Sequence, residues 1–212
     1  MNIEQALFEP YIKDLNPKVI FEFGSYDLTD GIYYRNLWPD AEIFCFEPYI
    51  PLYESKLSIA KDLNINFYNY AIGDDTGMIK FHPSNKLSGL AGPSGSLLKQ
   101  TVEHLESQKP FQRFPDPIIV PIITIKEFCE TNNIDHIDFM HIDVEGAVIK
   151  VINGFGNIRP GMIRAEVHDR DKLFYDAPSE EEVNNLMTNI GYNIIYNYPI
   201  NSADILYRYD GN

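Results

Sequence analysis

Basic residues are scarce in this sequence. It has 17 Lys and Arg against 31 Asp and Glu, which gives a net charge of -14 over 212 residues. Proteins bind nucleic acid mainly by neutralising its phosphates with Lys and Arg. The charge balance therefore argues against a nucleic-acid partner, and the surplus of acids is explained first by solubility.

Cysteines and long apolar runs are also scarce. The two cysteines, Cys45 and Cys129, form no C-x-x-C spacing, so they predict neither a metal site nor a redox pair. Both are expected to be small buried side chains. No apolar run approaches the roughly 20 residues that a membrane span needs, and the opening MNIEQALFEP lacks the basic and apolar parts of a secretory signal. The expectation is a cytoplasmic protein without membrane contact.

Hydrophobic residues make up 44% of the sequence, enough for one domain over residues 1–212 with a core of its own. Segments typical of strands alternate with segments typical of helices. This order predicts an α/β fold with a mostly parallel sheet, helices on both faces, and a C-terminal hairpin that makes one edge strand antiparallel. The predicted strands span residues 19–23, 42–46, 65–71, 78–82, 118–123, 137–142, 162–167, 192–198 and 204–209.

Two segments stand outside this alternation. Residues 1–16 contain the apolar spacing of an amphipathic helix. Residues 83–117 are rich in Ser, Gly and Pro and predict a long loop. Such a loop is either a lid over the substrate or a poorly ordered insertion.

The stretch 19–31 (VIFEFGSYDLTDG) is typical of a buried strand that ends at a glycine turn and offers backbone N–H groups to a ligand. Asp27 and Asp30 make this turn acidic, which favours a cofactor that carries positive charge over the pyrophosphate of a dinucleotide. Acidic residues also stand at the ends of the other predicted strands, where open parallel sheets bind ligands. These strand-end residues are Glu22, Glu47, Asp74, Asp143, Glu145 and Glu166, with His168 beside the last.

Glu47 comes one helix and one strand after the glycine turn. A carboxylate at this place can accept hydrogen bonds from two ribose hydroxyls, as in dinucleotide-binding folds. The alternative is a solvated acid at a strand end. The preceding glycine turn favours ribose binding.

Four segments together resemble the FkbM family of S-adenosylmethionine-dependent methyltransferases. They are Glu22-Phe23-Gly24-Ser25, Phe46-Glu47-Pro48, Ala71-Ile72-Gly73-Asp74 and His141-Ile142-Asp143-Val144-Glu145-Gly146. The resemblance covers residues 19–168 and implies a class I methyltransferase fold, which is Rossmann-like with a seven-stranded sheet. The chain departs from the family at Asp27-Leu28, where a second glycine is common.

The resemblance also implies which residues contact the cofactor and the methyl acceptor. The cofactor-binding set is Glu22, Gly24, Ser25, Glu47, Pro48, Ala71, Ile72 and Asp143, and the acceptor-binding set is Ser96, Glu145 and Glu166. Within the first set, Glu22 and Gly24 would face the methionine part of S-adenosylmethionine and Glu47 the ribose. Ala71 and Ile72 would contact the adenine, and Asp143 would lie beside the reactive methyl group.

Methyl transfer to a hydroxyl is helped by a group that takes the hydroxyl proton. His168 is the first candidate for this role because an imidazole titrates near neutrality, and Asp143 is the second. The alternative role for His168 is a structural hydrogen bond at the end of a strand. Asp143 and Glu166 could also supply oxygen ligands to Mg²⁺ or Ca²⁺, although a site without a metal is the simpler hypothesis. His141, inside a strand, is expected to be a packed or hydrogen-bonded core residue.

These observations predict an O-methyltransferase for a hydroxyl of a sugar, a glycan or a related small molecule. Two other functions stay open. One is a nicotinamide-dependent oxidoreductase on a similar sheet, and the other is a non-catalytic binding module on the same fold. The expected partner is a small-molecule or glycan acceptor, and the oligomeric state is undecided, with a homodimer as one option.

Overall fold

The computed structural model describes residues 3–167, 173–197 and 204–211. Twelve strands and seven helices follow one another along these residues. The strands are β1 (Val19–Phe23), β2 (Glu42–Phe46), β3 (Asn66–Tyr68), β4 (Ala71–Ile72), β5 (Gly77–Phe81), β6 (Asn85–Lys86), β7 (Gln112–Arg113), β8 (Ile118–Ile123), β9 (Phe139–Ile142), β10 (Met162–Glu166), β11 (Tyr192–Asn197) and β12 (Asp204–Tyr209). The helices are α1 (Ile3–Ile12), α2 (Thr29–Leu37), α3 (Ile50–Asp62), α4 (Val102–Gln108), α5 (Ile125–Asn132), α6 (Val148–Asn153) and α7 (Glu180–Asn189).

The central sheet has seven strands and is mixed. Its order is β3-β2-β1-β9-β10-β12-β11. The strands from β3 to β10 pair in parallel, whereas β12 pairs antiparallel with both β10 and β11. The prediction of a mostly parallel sheet with one antiparallel strand at its edge is wrong in this detail. The sheet is mixed, and its antiparallel strand, β12, lies inside it between β10 and β11. Ile205, Leu206 and Tyr207 are each 0% exposed, which is typical of a strand that is covered on both faces.

Alternate residues of the central strands point to opposite faces and contribute to two hydrophobic cores. Phe21 belongs to the core that includes side chains of α5, α6 and α7. Its neighbour Ile20 belongs to the core that includes side chains of α1, α2 and α3. Cys45 and Cys129 are both buried, as predicted, and neither forms a disulfide. Within the three described ranges, no helix has the length and apolar character needed to cross a bilayer.

A second sheet has the order β4-β8-β5. The predicted strand at residues 65–71 is therefore divided, since β3 pairs with β2 in the central sheet and β4 pairs with β8 in the second. The division falls at Asn69, whose Nδ2 donates to the carbonyl oxygens of Glu47 and Pro48 at 2.8 and 3.0 Å. These side-chain bonds occupy the end of β2 and direct the following residues away from the central sheet.

The segment 83–117 contains β6, α4 and β7. β6 pairs antiparallel with β7, and α4 begins at Thr101, whose Oγ1 accepts a hydrogen bond from the N–H of His104 at 3.1 Å. Bridges join Ser96 to His82 and Gln100 to Phe174. The segment therefore contacts the rest of the fold at several points, and its role as a lid stays a prediction.

Candidate active site

A cavity of about 290 Å³ lies at the carboxyl ends of β1, β2 and β9. Parallel sheets bind their ligands at this edge. Ten of the residues predicted from the sequence line it, namely Glu22, Gly24, Ser25, Glu47, Pro48, Ala71, Ile72, Ser96, Asp143 and Glu145. Glu166, at the end of β10, lies outside the lining, and His168 falls outside the described residues. The binding roles of all these residues stay predictions.

Gly24 ends β1 in a left-handed conformation, with a φ of 78°. The N–H groups of Gly24 and Ser25 both donate to the carbonyl oxygen of Phe46, at 3.1 and 3.0 Å, and so fix the turn to the end of β2. A Cβ atom on residue 24 would lie 1.7 Å from the backbone oxygen of Asp143. Glycine is therefore needed here both for its φ and for the close approach of β1 to the end of β9.

The turn continues without the second glycine that is common in the family. Tyr26 and Leu28 both have positive φ values, 43° and 66°. A left-handed conformation costs a residue other than glycine about 1 kcal/mol, and the complete burial of Leu28 offsets this cost. The chain therefore keeps a backbone conformation that favours glycine at the place where its sequence departs from the family.

The backbone holds the carboxylate of Glu47 in place. Its Oε1 accepts a hydrogen bond from the N–H of Tyr49 at 2.8 Å, and its Oε2 accepts one from the N–H of Tyr26 at 3.0 Å. Burial raises the pKa of Glu47 from 4.5 to about 7, although these two hydrogen bonds lower it. Each carboxylate oxygen has a second lone pair, so Glu47 can still accept hydrogen bonds from a pair of ligand hydroxyls.

Three neighbouring strands place polar side chains in one row. Cys45, Glu22 and His141 are register partners on β2, β1 and β9. The thiol of Cys45 donates to Oε2 of Glu22 at 2.9 Å. Burial, and after it the charge of Asp30, raises the pKa of Glu22 well above its usual range. The carboxyl group of Glu22 therefore holds its proton more strongly than an exposed glutamate does.

His141 is buried, as predicted, but it also lines the cavity. Its Nδ1 has no hydrogen-bond partner among the residues that the structure describes. Burial and the charge of Arg164 lower the pKa of His141 to about 3, so its imidazole is neutral at ordinary pH. One ligand atom each from His141, Glu22 and Asp30 lie within 4.8 Å of one another. The sequence alone does not indicate this grouping.

Three carboxyl groups meet near the ends of β9 and β10, and two of them, Asp143 and Glu145, line the cavity. One oxygen each from Asp143, Glu145 and Glu166 lie within 4.8 Å of one another. Burial raises the pKa of Asp143 well above its usual range, and the charge of Glu166 and a hydrogen bond with it raise the pKa further. Once such a group has lost its own proton, it can take one from a ligand hydroxyl. Its oxygens are also of the kind that Mg²⁺ and Ca²⁺ prefer, so a metal here stays a prediction.

Ser96 connects the segment 83–117 to the backbone of Glu145, one of the three residues with these carboxyl groups. Its Oγ donates to the carbonyl oxygen of Glu145 at 2.8 Å and accepts from the N–H of Leu98 at 2.9 Å. The hydroxyl proton is therefore used within the protein. Ser96 can accept a hydrogen bond from an acceptor molecule, but it can donate one only if its bond to Glu145 breaks.

Sequence reasoning missed several cavity residues. Tyr26 and Tyr49 follow directly after the Gly24-Ser25 turn and the Phe-Glu-Pro motif, so their closeness to these motifs could have indicated them. Both side chains contact the segment 83–117. The hydroxyl of Tyr26 donates to the carbonyl oxygen of Ala91 at 3.4 Å, and the hydroxyl of Tyr49 donates to Oδ1 of Asn85 at 3.2 Å. The other missed residues within that segment are Ser84, Gly92 and Pro93, which have no periodic pattern. Gly95 and Leu97 stand on either side of the predicted Ser96 and line the cavity with it.

The lining of the cavity is acidic. It has six carboxyl groups and, among the described residues, no Lys or Arg. The six belong to Glu22, Asp27, Asp30, Glu47, Asp143 and Glu145. A cationic ligand would favour the ionised form of these carboxyl groups, including Glu22, Glu47 and Asp143, whose pKa values burial raises. A pyrophosphate would find no cationic partner in the described lining, so the cavity favours a cationic ligand over a pyrophosphate.

Comparison with known proteins gives two findings. The family model of the methyltransferase FkbM domain matches residues 23–194. The chain is also similar to 2-O-methyltransferase NoeI from Sinorhizobium fredii (strain NBRC 101917 / NGR234), with 34% identity over 141 residues. That match covers 64% of this chain and 56% of the relative, so the chain spans little more than half the length of the relative.

Proposed function

The chain belongs to the FkbM methyltransferase family, and we propose that it uses S-adenosylmethionine to methylate a hydroxyl group of a sugar, a glycan or a related small molecule. The carboxyl groups that line the cavity carry this proposal. Six carboxyl groups line it, without a Lys or Arg from the described ranges. S-Adenosylmethionine brings a sulfonium, an ammonium and one carboxylate group and so has a net positive charge, whereas a nicotinamide dinucleotide brings a pyrophosphate that needs N–H or cationic partners.

The cavity also offers groups that fit the uncharged parts of this cofactor. Glu47 presents a carboxylate that two backbone N–H groups orient, which suits the two hydroxyls of a ribose. Ala71 and Ile72 line the cavity with buried apolar side chains, which suit the flat adenine. These three residues support binding of an adenosine group.

S-Adenosylmethionine, when bound, supplies an activated methyl group to an acceptor oxygen. The residues of the chain orient the acceptor and take its proton. We assign proton transfer to a carboxylate oxygen of Asp143, close to Glu166, and His168 is the alternative. Glu145 and Ser96 are the proposed contacts to the acceptor. The name of the relative, a 2-O-methyltransferase, supports oxygen as the atom that is methylated.

Isothermal titration calorimetry with S-adenosylhomocysteine and with NAD⁺ tests the class of cofactor. We expect micromolar binding of S-adenosylhomocysteine and no measurable binding of NAD⁺. The reverse result would refute the proposal and favour an oxidoreductase. Release of S-adenosylhomocysteine from S-adenosylmethionine, measured with a panel of sugars and glycans, tests for transfer. Cofactor binding without turnover on any acceptor would favour a non-catalytic module.

Cofactor affinity should follow the ionisation of Glu47. Burial raises the pKa of Glu47 to about 7, and only the ionised carboxylate lets both oxygens act purely as hydrogen-bond acceptors. We expect the Kd of S-adenosylhomocysteine to fall about threefold to tenfold as the pH rises from about 6 to about 8. Calorimetry at several pH values measures this change.

The Glu47→Gln variant should bind the ligand more weakly and lose this pH dependence. Glu42→Gln is the matched control, because Glu42 is exposed at the start of the same strand. A pH dependence that persists unchanged in Glu47→Gln would assign the titration to another acid of the cavity.

A further inference from the structure

Arg164 is the only Lys or Arg that is buried among the residues that the structure describes. It lies on β10 opposite His141 of β9, one strand beyond the polar row of the cavity. Its Nη2 donates to Oδ2 of Asp204 at 2.8 Å, and its Nη1 lies 3.5 Å from Oδ1 of Asp30. Arg164 itself is outside the cavity lining. Its guanidinium therefore connects a buried acid of β12 to an acid that the cavity contains.

Asp30 is the residue through which these contacts reach the cavity. It stands in the first turn of α2 and lines the cavity, and 23% of its side chain is exposed. Gln5 of α1 donates from Nε2 to Oδ1 of Asp30 at 3.1 Å. Both neighbours therefore contact the same oxygen, which leaves Oδ2 for a ligand.

The guanidinium group suits this position better than an ammonium group would. Asp204 and Asp30 contact two different nitrogens of Arg164, whereas a lysine has a single nitrogen on a flexible stem. The guanidinium also lies 4.7 Å from the ring centroid of Phe8 in α1. Helix α1 is therefore joined to this network twice, through Phe8 and through Gln5.

We propose that Arg164 and Gln5 are positioning residues that act through Asp30 on the binding of the cofactor's ammonium group. They hold one oxygen of Asp30 so that the other faces the cavity. An ammonium group has three N–H donors, and Asp30, Glu22 and His141 offer acceptor atoms within 4.8 Å of one another. The inference rests on the proposed function, because it requires S-adenosylmethionine in the cavity.

Two ligands distinguish positioning from an effect on folding. S-Adenosylhomocysteine and 5′-methylthioadenosine share an adenosine and a thioether, but only the first has an amino-acid end. Arg164→Lys keeps the charge and loses the bridge, and Gln5→Ala removes the second contact to Asp30 without a change of charge. In each variant we expect the Kd of S-adenosylhomocysteine to rise about tenfold. The Kd of 5′-methylthioadenosine should stay within about twofold of the wild-type value.

Arg208→Lys is the matched control, because Arg208 is an exposed arginine of β12 that contacts Asp210; it should change neither Kd. An equal loss for both ligands in the test variants would show an effect on the fold alone, and unchanged affinities for both would also overturn the inference. In either case the proposed function would stand. If the wild type binds neither ligand, the proposed function itself fails. Gln5→Ala carries the test if Arg164→Lys does not fold.

Discussion

Asp143→Asn is expected to lower kcat for methyl transfer by about 10²- to 10⁴-fold, the range for the loss of a positioned proton acceptor. Asparagine keeps the shape of the side chain but cannot take a proton from an acceptor hydroxyl. Asp143 lines the cavity directly after β9, and one of its oxygens is close to oxygens of Glu145 and Glu166. Initial rates at saturating S-adenosylmethionine, with an acceptor found in the sugar panel, measure the change in kcat.

The pH dependence of this variant should differ from that of the wild type. Burial and Glu166 raise the pKa of Asp143, so wild-type kcat should rise with pH as this carboxyl group loses its proton. The effect on stability has the opposite sign. A carboxyl group whose folded pKa exceeds its unfolded value favours folding while it is protonated, and this contribution is lost as the pH rises through the folded pKa. Asp143→Asn should therefore be at least as stable to urea as the wild type at about pH 8.

A matched control is Asp75→Asn, because Asp75 is exposed in the turn before β5; it should change neither kcat nor stability. If kcat in Asp143→Asn stayed within about threefold of the wild-type value, Asp143 would not be the proton acceptor, and His168 would be the next candidate. If wild-type kcat fell on addition of EDTA and returned with Mg²⁺, and Asp143→Asn needed a higher Mg²⁺ concentration for its residual activity, Asp143 would instead be a metal ligand.

Three acids of the cavity could be predicted because each one stands at the end of a strand in the sequence. Glu22, Glu47 and Asp143 end or follow apolar runs, and a parallel sheet brings such ends to one edge. Asp30 could be predicted from its place in the acidic turn that follows β1, whereas His141 could not be assigned to the cavity from its place in the sequence. His141 faces Glu22 only through the register of β1 with β9, and register between distant segments leaves no local mark in the sequence.

The same distinction applies to the fold. Ser179-Glu180-Glu181-Glu182 has the local sequence pattern of a capping box. The structure contains both of its hydrogen bonds, because Ser179 Oγ accepts from Glu182 N–H at 3.2 Å and Glu182 Oε2 accepts from Ser179 N–H at 2.8 Å. The insertion of β12 between β10 and β11 depends on pairing between distant segments. A sequence signal for it existed, because Ile205-Leu206-Tyr207 is an unbroken apolar run, which is more typical of an interior strand than of an edge.

Gly24→Ala is expected to lower the free energy of unfolding by more than about 3 kcal/mol and to abolish binding of S-adenosylhomocysteine. The new methyl group would lie 1.7 Å from the backbone oxygen of Asp143. Backbone hydrogen bonds hold both the β1 turn and the end of β9 in place. The N–H of Asp143 donates to the carbonyl oxygen of Phe23 at 3.0 Å, and the N–H of Gly24 donates to the carbonyl oxygen of Phe46 at 3.1 Å. Urea denaturation and calorimetry measure the two losses.

Gly89→Ala separates the steric clash from the strain of the backbone. Gly89 has a φ of 84°, close to the 78° of Gly24, but no atom of the described residues lies within 4 Å of the added Cβ. Only the left-handed conformation should be penalised there, by about 1 kcal/mol, and ligand binding should not change because Gly89 lies outside the cavity lining. Equal losses in the two variants would mean that the β1 turn and the end of β9 can separate enough to admit a methyl group. A larger loss at Gly24 would mean that these two segments are held together rigidly, so the positions of Glu22, Glu47 and Asp143 around the cavity depend on this one contact.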